Sequence, residues 1–278
     1  MRQIKASVIS DLISRLCIEA NINLRPDIRK AIKAALKKEK TTRAKEALRL
    51  LLENADIASD DKIAICQDTG MAVVFVEIGQ EVKIVGDLKR AINKGVELGY
   101  RRGFLRNSIV KDPLLRGKSA YQPAIIHIDI VKGNKLKITV LPKGFGCENK
   151  TQLKIFRPTA EIEEIKKFIV ETVKSAGPDA CPPYVVGVGI GGTADYACLL
   201  AKKALLRKVA KSQSHKVTSK LEKDLLKEIN KLNIGPMGLG GRTTAMAVNI
   251  ETYPTHIAGL PVAVNISCHA LRSAYGEI

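Results

Sequence analysis

Residues 181–193 read CPPYVVGVGIGGT, an apolar run that begins after two prolines and ends in a series of glycines. A short run of branched apolar residues between such breakers predicts a strand that is buried on both faces. The segment that follows, residues 194–207, has apolar residues at helical spacing. This part of the chain therefore predicts a sheet with a helix packed against it.

Three glycines of this run, Gly187, Gly189 and Gly192, formally satisfy the GxGxxG pattern of dinucleotide-binding folds. Such a site also needs an acidic residue about 20 positions further on, where this chain reads VAKSQSHKVTSK. Because that stretch lacks Asp and Glu, a dinucleotide-binding protein is only a remote alternative. Close packing of the helix on its strand explains the glycines better, although amides at the helix start could still help to bind a carboxylate.

The remaining apolar patterns form an N-terminal helical part and a longer part of strands and helices. Residues 3–57 predict three helices, the second beginning at Pro26. Further strands are predicted at 63–66, 71–78, 124–131, 135–142, 243–251 and 260–267, and further helices at 86–100, 161–176 and 219–232. The runs AIIHIDIV and KLKITVLP, which KGN separates, predict a β-hairpin.

The predicted fold class is α+β, with an N-terminal helical lobe followed by a mixed β-sheet flanked by helices. The sequence contains no internal repeat and no low-complexity linker. We expect a single domain over residues 1–278, with the helical lobe at about 1–60 and the α+β part at about 61–278.

The composition is that of a folded globular protein, with 45% hydrophobic and 27% charged residues over 278 positions. The first 24 residues carry charges among their apolar positions, which argues against a signal peptide, and no later run has the apolar length of a membrane span. We therefore expect a cytoplasmic protein. Its six cysteines, none in a CxxC pair, fit neither a disulfide-rich scaffold nor a zinc ribbon.

The formal net charge of +18 raises the question of nucleic-acid binding. The basic residues lie mostly in helix-like segments, 29–52 and 215–232, where they alternate with apolar residues and predict solvated helix faces. Aromatic residues make up 4% of the chain and Trp is absent, so stacking platforms for bases are few. A basic surface could instead concentrate an anionic substrate or bind an acidic partner subunit.

Three cysteines, Cys66, Cys181 and Cys268, lie at predicted ends of strands, whereas Cys17 and Cys198 lie within predicted helices. Their separations are too long for a clustered metal motif, so spacing alone does not identify a site, and buried structural thiols remain the alternative. By chemistry, three thiolates suit a four-iron cluster in which the fourth iron keeps an open position.

Two other features have open interpretations. The run GFGCENK, residues 144–150, predicts either a glycine-cornered turn whose amides bind an anion or a β-turn before a helix. Of the histidines, His127 alternates within a strand and His215 lies in a polar loop. His256, in a loop bounded by Pro and Gly, has a placement typical of functional residues, with a solvated loop histidine as the alternative.

Taken together, ICQDTG, KGFGCENK, CPPYVVGVGIGGT and a late ISC preceded by a loop histidine resemble one known family. It is the class I fumarase and L(+)-tartrate dehydratase family, in its N-terminal or α-subunit portion. The resemblance extends over about residues 3–275, with the motifs in the right order at compatible distances.

The resemblance implies a [4Fe–4S] cluster bound by Cys66, Cys181 and Cys268. Its open iron would act as a Lewis acid, without a redox step, in adding or removing water at a small dicarboxylate. The resemblance also implies substrate contacts from these residues: Gln67, Asp68, Arg106 and Gly146. Asp68 and His256 match positions associated with proton transfer to the departing hydroxyl.

The chain departs from the family pattern at two places in the sequence. Cys147 stands where single-chain members often have Ser, and we interpret it as a substitution in the substrate turn and not as a ligand. After Cys268, His269 and Leu271 replace the usual small and acidic residues, while Arg272 is retained.

Single-chain members of the family are far longer, and nothing here corresponds to their second domain. The resemblance therefore implies an α subunit that needs a separate β subunit, in an assembly of two α and two β subunits. The expected reaction is the hydration of fumarate to (S)-malate, with L(+)-tartrate dehydration as the alternative.

Overall fold

The computed structural model describes residues 1–209, 211, 213 and 215–278, and its helices and mixed sheets confirm the α+β class. The helices are α1 (Ala6–Ile22), α2 (Pro26–Lys38), α3 (Thr42–Asp60), α4 (Leu88–Arg102), α5 (Phe145–Glu148), α6 (Ile162–Ala176), α7 (Ala194–Ala204) and α8 (Lys216–Lys231). The strands are β1 (Arg2–Lys5), β2 (Met71–Gly79), β3 (Val82–Val85), β4 (Ile109–Asp112), β5 (Arg116–Ala120), β6 (Ile125–Val131), β7 (Leu136–Lys143), β8 (Gln152–Phe156), β9 (Tyr184–Gly192), β10 (Ala245–Thr255), β11 (Leu260–Ser267) and β12 (Ala274–Glu277).

The chain forms two compact units, each made of separate stretches of sequence. The first comprises Met1–Arg25, Asn54–Phe145 and Arg272–Ile278, and the second comprises Pro26–Glu53 and Gly146–Leu271. Of the three predicted N-terminal helices, all present, α1 lies in the first unit, α2 in the second, and α3 has residues in both.

The first unit contains a four-stranded sheet in the order β12-β7-β2-β6. The two strands predicted to form a hairpin are present as β6 and β7, but the pairing prediction is wrong because β2 lies between them, parallel to β6 and antiparallel to β7. Backbone carbonyls at the end of β6 and between β6 and β7, which would lie at the turn of a β6–β7 hairpin, accept hydrogen bonds from the residues at the end of β2. The Gln80 N–H donates to Val131 O (2.8 Å) and the Gly79 N–H donates to Lys135 O (2.8 Å).

Helices α1 and α4 pack closely in the first unit because α4 presents two glycines to α1. A Cβ atom on Gly95 would lie 2.6 Å from Ser10 O, and one on Gly99 would lie 2.6 Å from Ser14 O. The apolar side of the pair lies in the same core as β7, with Ile9 and Ile13 fully buried. This close packing fixes α4 against α1, and with it the position from which the chain continues after Arg102.

The second unit contains the sheet β10-β9-β11-β8, in which β9 is parallel to β10 and antiparallel to β11. Helix α7 packs on the central strand, and Cβ atoms on Gly187 and Gly189 would lie 2.1 Å from Ala201 O and 2.0 Å from Ala197 O. The interpretation of these glycines as helix-packing residues is thus confirmed.

Other predicted elements are present with small changes in their bounds, and one strand is not. Helix α7 ends at Ala204 instead of 207, and β1 precedes α1. Residues 63–66 do not form the predicted strand, because the backbone groups of Ile65 bond to helical residues: Ile65 N–H donates to Asn21 O (2.9 Å) and Asn54 Nδ2 donates to Ile65 O (2.9 Å). None of the helices in the described residues combines the length and apolarity needed to cross a bilayer.

Candidate functional site

The segment 66–70 forms a loop in the first unit that leads into β2, and it fixes the carboxylate of Asp68. The Gly70 N–H donates to Asp68 Oδ1 (3.0 Å), and the Phe145 N–H donates to Asp68 Oδ2 (2.8 Å). Gly70 has φ +72° and lies against the Lys143 backbone, where a Cβ atom would approach to 2.7 Å. The Phe145 amide, which follows Gly144, therefore does bind an anionic group, and that group is the half-buried carboxylate of Asp68 in the same chain.

Thr69 brings Arg106 to the same loop. Its buried hydroxyl accepts the Arg106 N–H (3.1 Å), while Tyr100 donates its hydroxyl to Thr69 O (3.0 Å) and Gly70 O (3.1 Å). Burial raises the pKa of Tyr100, so this hydroxyl stays protonated and able to donate. In the first unit the structure thus brings together three of the predicted residues, Gln67, Asp68 and Arg106, with the Gln67 and Arg106 side chains exposed.

Arg272 lies under this loop and was noted in the sequence only as a retained family residue. Its side chain is 4% exposed, and Nη2 donates to the main-chain O of Asp68. Its Nε and Nη1 atoms are buried and have no hydrogen-bond partner within the described residues. A buried charged group with free donors is costly, so the geometry is suited to an anion or a water molecule next to Asp68.

Two of the predicted ligands, Cys181 and Cys268, lie at one end of the sheet in the second unit. Cys181 precedes β9 and Cys268 follows β11, whose last residue, Ser267, pairs with Val185 near the start of β9. The His269 N–H donates to Cys181 O (3.2 Å), which joins the two segments. Cys181 is exposed and has φ +55°, a strained conformation for a residue with a side chain, of the kind that often occurs at functional sites.

The residues after Gly146 lie beside Cys181. Cys147 is buried, and its thiol donates to Ala180 O (3.3 Å). Burial first, and then the neighbouring Cys147 and Cys181 thiols, raise the pKa of Tyr184. Cys147 therefore lies at the same end of the sheet as Cys181.

A polar network that the sequence analysis missed ties this turn to β11. The carboxylate of Glu148 pairs with Lys202 and accepts a hydrogen bond from Asn265 Nδ2 (2.9 Å), which also donates to Thr151 Oγ1 (2.8 Å). Asn265 is fully buried and lies three residues before Cys268. The signal in the sequence was the single amide within the apolar run VAVNIS.

His256 lies at the other end of this sheet. It follows β10, whose last residue, Thr255, pairs with Gly192 at the end of β9, and its Nδ1 accepts the Ala258 N–H (3.1 Å). The length of β9, about 26 Å at about 3.3 Å per residue, separates it from the start of that strand. Within one chain the structure does not bring His256 together with Cys181 and Cys268.

Comparison with known proteins identifies the family. The family described as Fumarate hydratase (Fumerase) matches residues 10–277. The chain belongs to the fumarate hydratase (Fumerase) family. This membership confirms the family resemblance and the predicted enzyme class, a hydro-lyase.

Relatives in this family extend over nearly the whole chain. A provisionally named L(+)-tartrate dehydratase subunit alpha of Methanocaldococcus jannaschii is 41% identical over 277 residues, which are 97% of each chain. The L(+)-tartrate dehydratase subunit alpha of Escherichia coli K12 and that of Shigella sonnei are each 28% identical over 275 residues, 98% of this chain and 91% of theirs.

The cysteine chemistry of this fumarate hydratase family member fits an iron–sulfur cluster. None of the six cysteines, all within the described part of the chain, forms a disulfide, and Cys66, Cys181 and Cys268 lie in loops where their side chains are half-buried or exposed. No three His, Cys, Asp or Glu side chains among residues 1–209, 211, 213 and 215–278 group as ligands of a single metal ion. A four-iron cluster binds each cysteine through a different iron, so its ligands need not meet around one ion.

Proposed function

We propose that this chain is the α subunit of a two-subunit L(+)-tartrate dehydratase that removes water from a 2-hydroxy dicarboxylate. The observation that carries the proposal is the likeness to proteins of that name over almost the full length of both chains. The relatives' names favour L(+)-tartrate as the substrate, whereas the sequence motifs alone led us to expect fumarate. The proposed partner is a separate β subunit, in an assembly of two α and two β subunits, located in the cytoplasm.

Reversible hydration of fumarate to (S)-malate is the second candidate. The description of the matching family, Fumarate hydratase, favours it. Both reactions break or form a C–O bond next to a carboxylate, so the residues of this chain suit either substrate.

Cys66, Cys181 and Cys268 would hold the [4Fe–4S] cluster of such an enzyme. Bound there, the cluster would supply a Lewis acid for the hydroxyl that leaves. The strained backbone of Cys181 and its hydrogen bond from His269 support this assignment, because they fix the main chain that carries an exposed cysteine.

The loop of the first unit supplies the polar groups that a dicarboxylate needs. Arg106 would bind a carboxylate through its guanidinium fork, and Gln67 would add a further hydrogen bond. The amide of Gly146, a residue of the second unit, is also proposed to bind the substrate. Arg272, whose Nε and Nη1 atoms have no partner among the residues that the structure describes, would stabilise negative charge beside Asp68. Asp68 would take up a proton from solvent, transfer it to the departing hydroxyl, and so return to the carboxylate that two backbone amides hold in place.

His256 would act in a different active site from that of its own Cys181 and Cys268. Because β9 separates it from Cys181 and Cys268 within one chain, it would serve a site of the second α subunit. Mixed assemblies test this: α subunits with Asp68→Asn and with His256→Gln, inactive alone, should regain part of the activity when co-expressed. Failure to regain activity, although mixed tetramers form, would remove His256 from the catalytic set.

The experiment for the reaction is anaerobic co-expression of this chain with the β subunit of the same organism. Purified complex is assayed with L(+)-tartrate, (S)-malate and fumarate, and we expect the highest kcat/KM with L(+)-tartrate. A higher kcat/KM with fumarate would establish the second candidate, and no turnover with any of the three would refute the proposal.

The experiment for the cluster measures iron and acid-labile sulfide in the same complex. Cys66→Ser, Cys181→Ser and Cys268→Ser should each lose most of both, whereas Cys198→Ser, a half-buried cysteine on α7, is the matched control. If the three variants retain iron and sulfide as the control does, the cluster assignment is wrong.

A further inference from the structure

The hairpin formed by β4 and β5 stands apart from the core of the first unit. The two strands form a two-stranded sheet of their own, and every residue from 111 to 119 is exposed. A cavity of about 620 Å³ lies at its base, lined by Lys111, Ser119 and Tyr121 together with Glu97 and Arg101 of α4. An isolated two-stranded hairpin is at best marginally stable in water, so an additional contact is expected to hold it.

The tip of this hairpin presents two leucines to solvent. Leu114 is 89% exposed and Leu115 is 84% exposed. The carboxylate of Asp112 accepts the backbone N–H of both leucines, each at 2.8 Å, and these hydrogen bonds lower the pKa of Asp112. Arg116 follows with φ +66°. The tip is therefore an ordered turn that holds two large apolar side chains outwards.

The charge around the tip indicates what kind of surface it fits. Lys111, Arg116 and Lys118 are exposed next to the leucines, and Asp112 is already engaged by the turn. The whole chain carries a net charge of +18. Two copies of this hairpin would repel one another, whereas a partner with carboxylates around an apolar socket would attract it.

We infer that the tip of the β4–β5 hairpin, residues 112–116, inserts its two leucines into an apolar, acid-rimmed socket of the companion β subunit. The inference rests on the proposed function for the existence of that subunit. It assigns the hairpin to subunit assembly, and the pre-formed turn lowers the conformational cost of docking.

The test is the affinity between the purified full chain and the β subunit of the same organism, measured by isothermal titration calorimetry under anaerobic conditions. The double variant Leu114→Ser, Leu115→Ser should bind at least about 30-fold more weakly than the wild type, because it loses the burial of two leucine side chains in the socket. Val217→Ser, which changes a 62% exposed residue of α8, is the control and should bind normally. Circular dichroism should show both variants folded, since none of the three residues is buried.

Each other outcome overturns the inference. These outcomes are equal affinity of the double variant and the wild type, absence of binding by the wild type, loss of self-association instead of β-subunit binding, and binding of the tip to anionic lipid vesicles. Turnover of the complex, measured at saturating β subunit, reports on the proposed function separately. A double variant that is active at saturating β subunit but binds it weakly supports both the proposed function and the role of the hairpin. An active complex in which the double variant binds with unchanged affinity refutes only the role of the hairpin.

Discussion

At the scale of single residues, the main feature of the first unit is a buried cation with free donors next to a fixed carboxylate. Arg272 Nη2 donates a hydrogen bond to the main-chain O of Asp68, and the other two guanidinium nitrogens have no partner in the described part of the chain. Folding alone therefore compensates only part of the hydration that this group loses. The residue is therefore better explained by an anion that binds there than by the stability of the chain.

Arg272→Met tests this explanation. Because Met removes the free donors together with one hydrogen bond, the free energy of unfolding of the isolated chain should change by less than about 1 kcal/mol. The thermal stabilisation by L(+)-tartrate, or the incorporation of iron, should fall strongly. Arg102→Met, an exposed arginine of α4, is the control. A large loss of stability with normal ligand responses would show a structural role.

Asp68→Asn should separate chemistry from structure. The amide can keep one of the two backbone hydrogen bonds, so the loss of stability should be about 1–2 kcal/mol. Loss of the proton donor should lower kcat at least about 100-fold, with iron per chain unchanged. The measurements are kcat, iron content and Tm of the complex, with Asp87→Asn as control, since Asp87 also accepts a backbone N–H. A parallel loss of iron and activity would make Asp68 a structural residue.

At the scale of elements, apolar periodicity predicted where most helices and strands lie, and it failed where pairing is not local. The runs at β6 and β7 were correctly identified, yet β2, from about 50 residues earlier in the chain, takes the place between them. The run 63–66 is apolar enough for a strand, but its backbone groups bond to helical residues. Strand partners depend on tertiary contacts that periodicity does not contain.

The candidate site shows the same limit. Motifs predicted Asp68, Arg106 and the cysteines because their residue types and neighbours are informative. Residues that support them, Thr69 and Asn265 for example, have no special spacing and are recognised only from their hydrogen bonds. The Pro- and Gly-bounded loop around His256 indicated a functional residue. Its distance from Cys181 depends on the register of β9 and β10, which the local sequence does not reveal.

Gly189→Ala tests the packing role of the glycine-rich strand. Its Cβ atom would lie 2.0 Å from Ala197 O, so α7 must move away from β9, and we expect a loss of about 3 kcal/mol in the free energy of unfolding. Gly259→Ala, where the nearest atom is Ile155 Cγ2 at 3.8 Å, is the matched control and should be nearly neutral. Urea denaturation of both variants measures the difference. Equal stability of the two variants would contradict the packing explanation.

At the scale of the whole molecule, the net charge of +18 is the dominant property. Much of it lies on helices that have no part in the candidate site, such as α2, which carries Lys30, Lys33, Lys37 and Lys38. A field of this size attracts anionic substrates and acidic partners in the same way. The proposed β subunit and the dicarboxylate are thus both consistent with the electrostatics of the chain.

The association of the chain with its β subunit should therefore depend strongly on salt. Exposed charges steer encounter over distances that added salt screens, so raising NaCl from about 0.05 to 0.5 M should lower the association rate at least about tenfold. The dissociation rate should change little, since apolar contacts such as the two hairpin leucines are insensitive to screening. Biolayer interferometry of the wild type and of the leucine double variant measures both rates. An association rate that stays constant across this range would mean that the positive charge of the chain has no part in assembly.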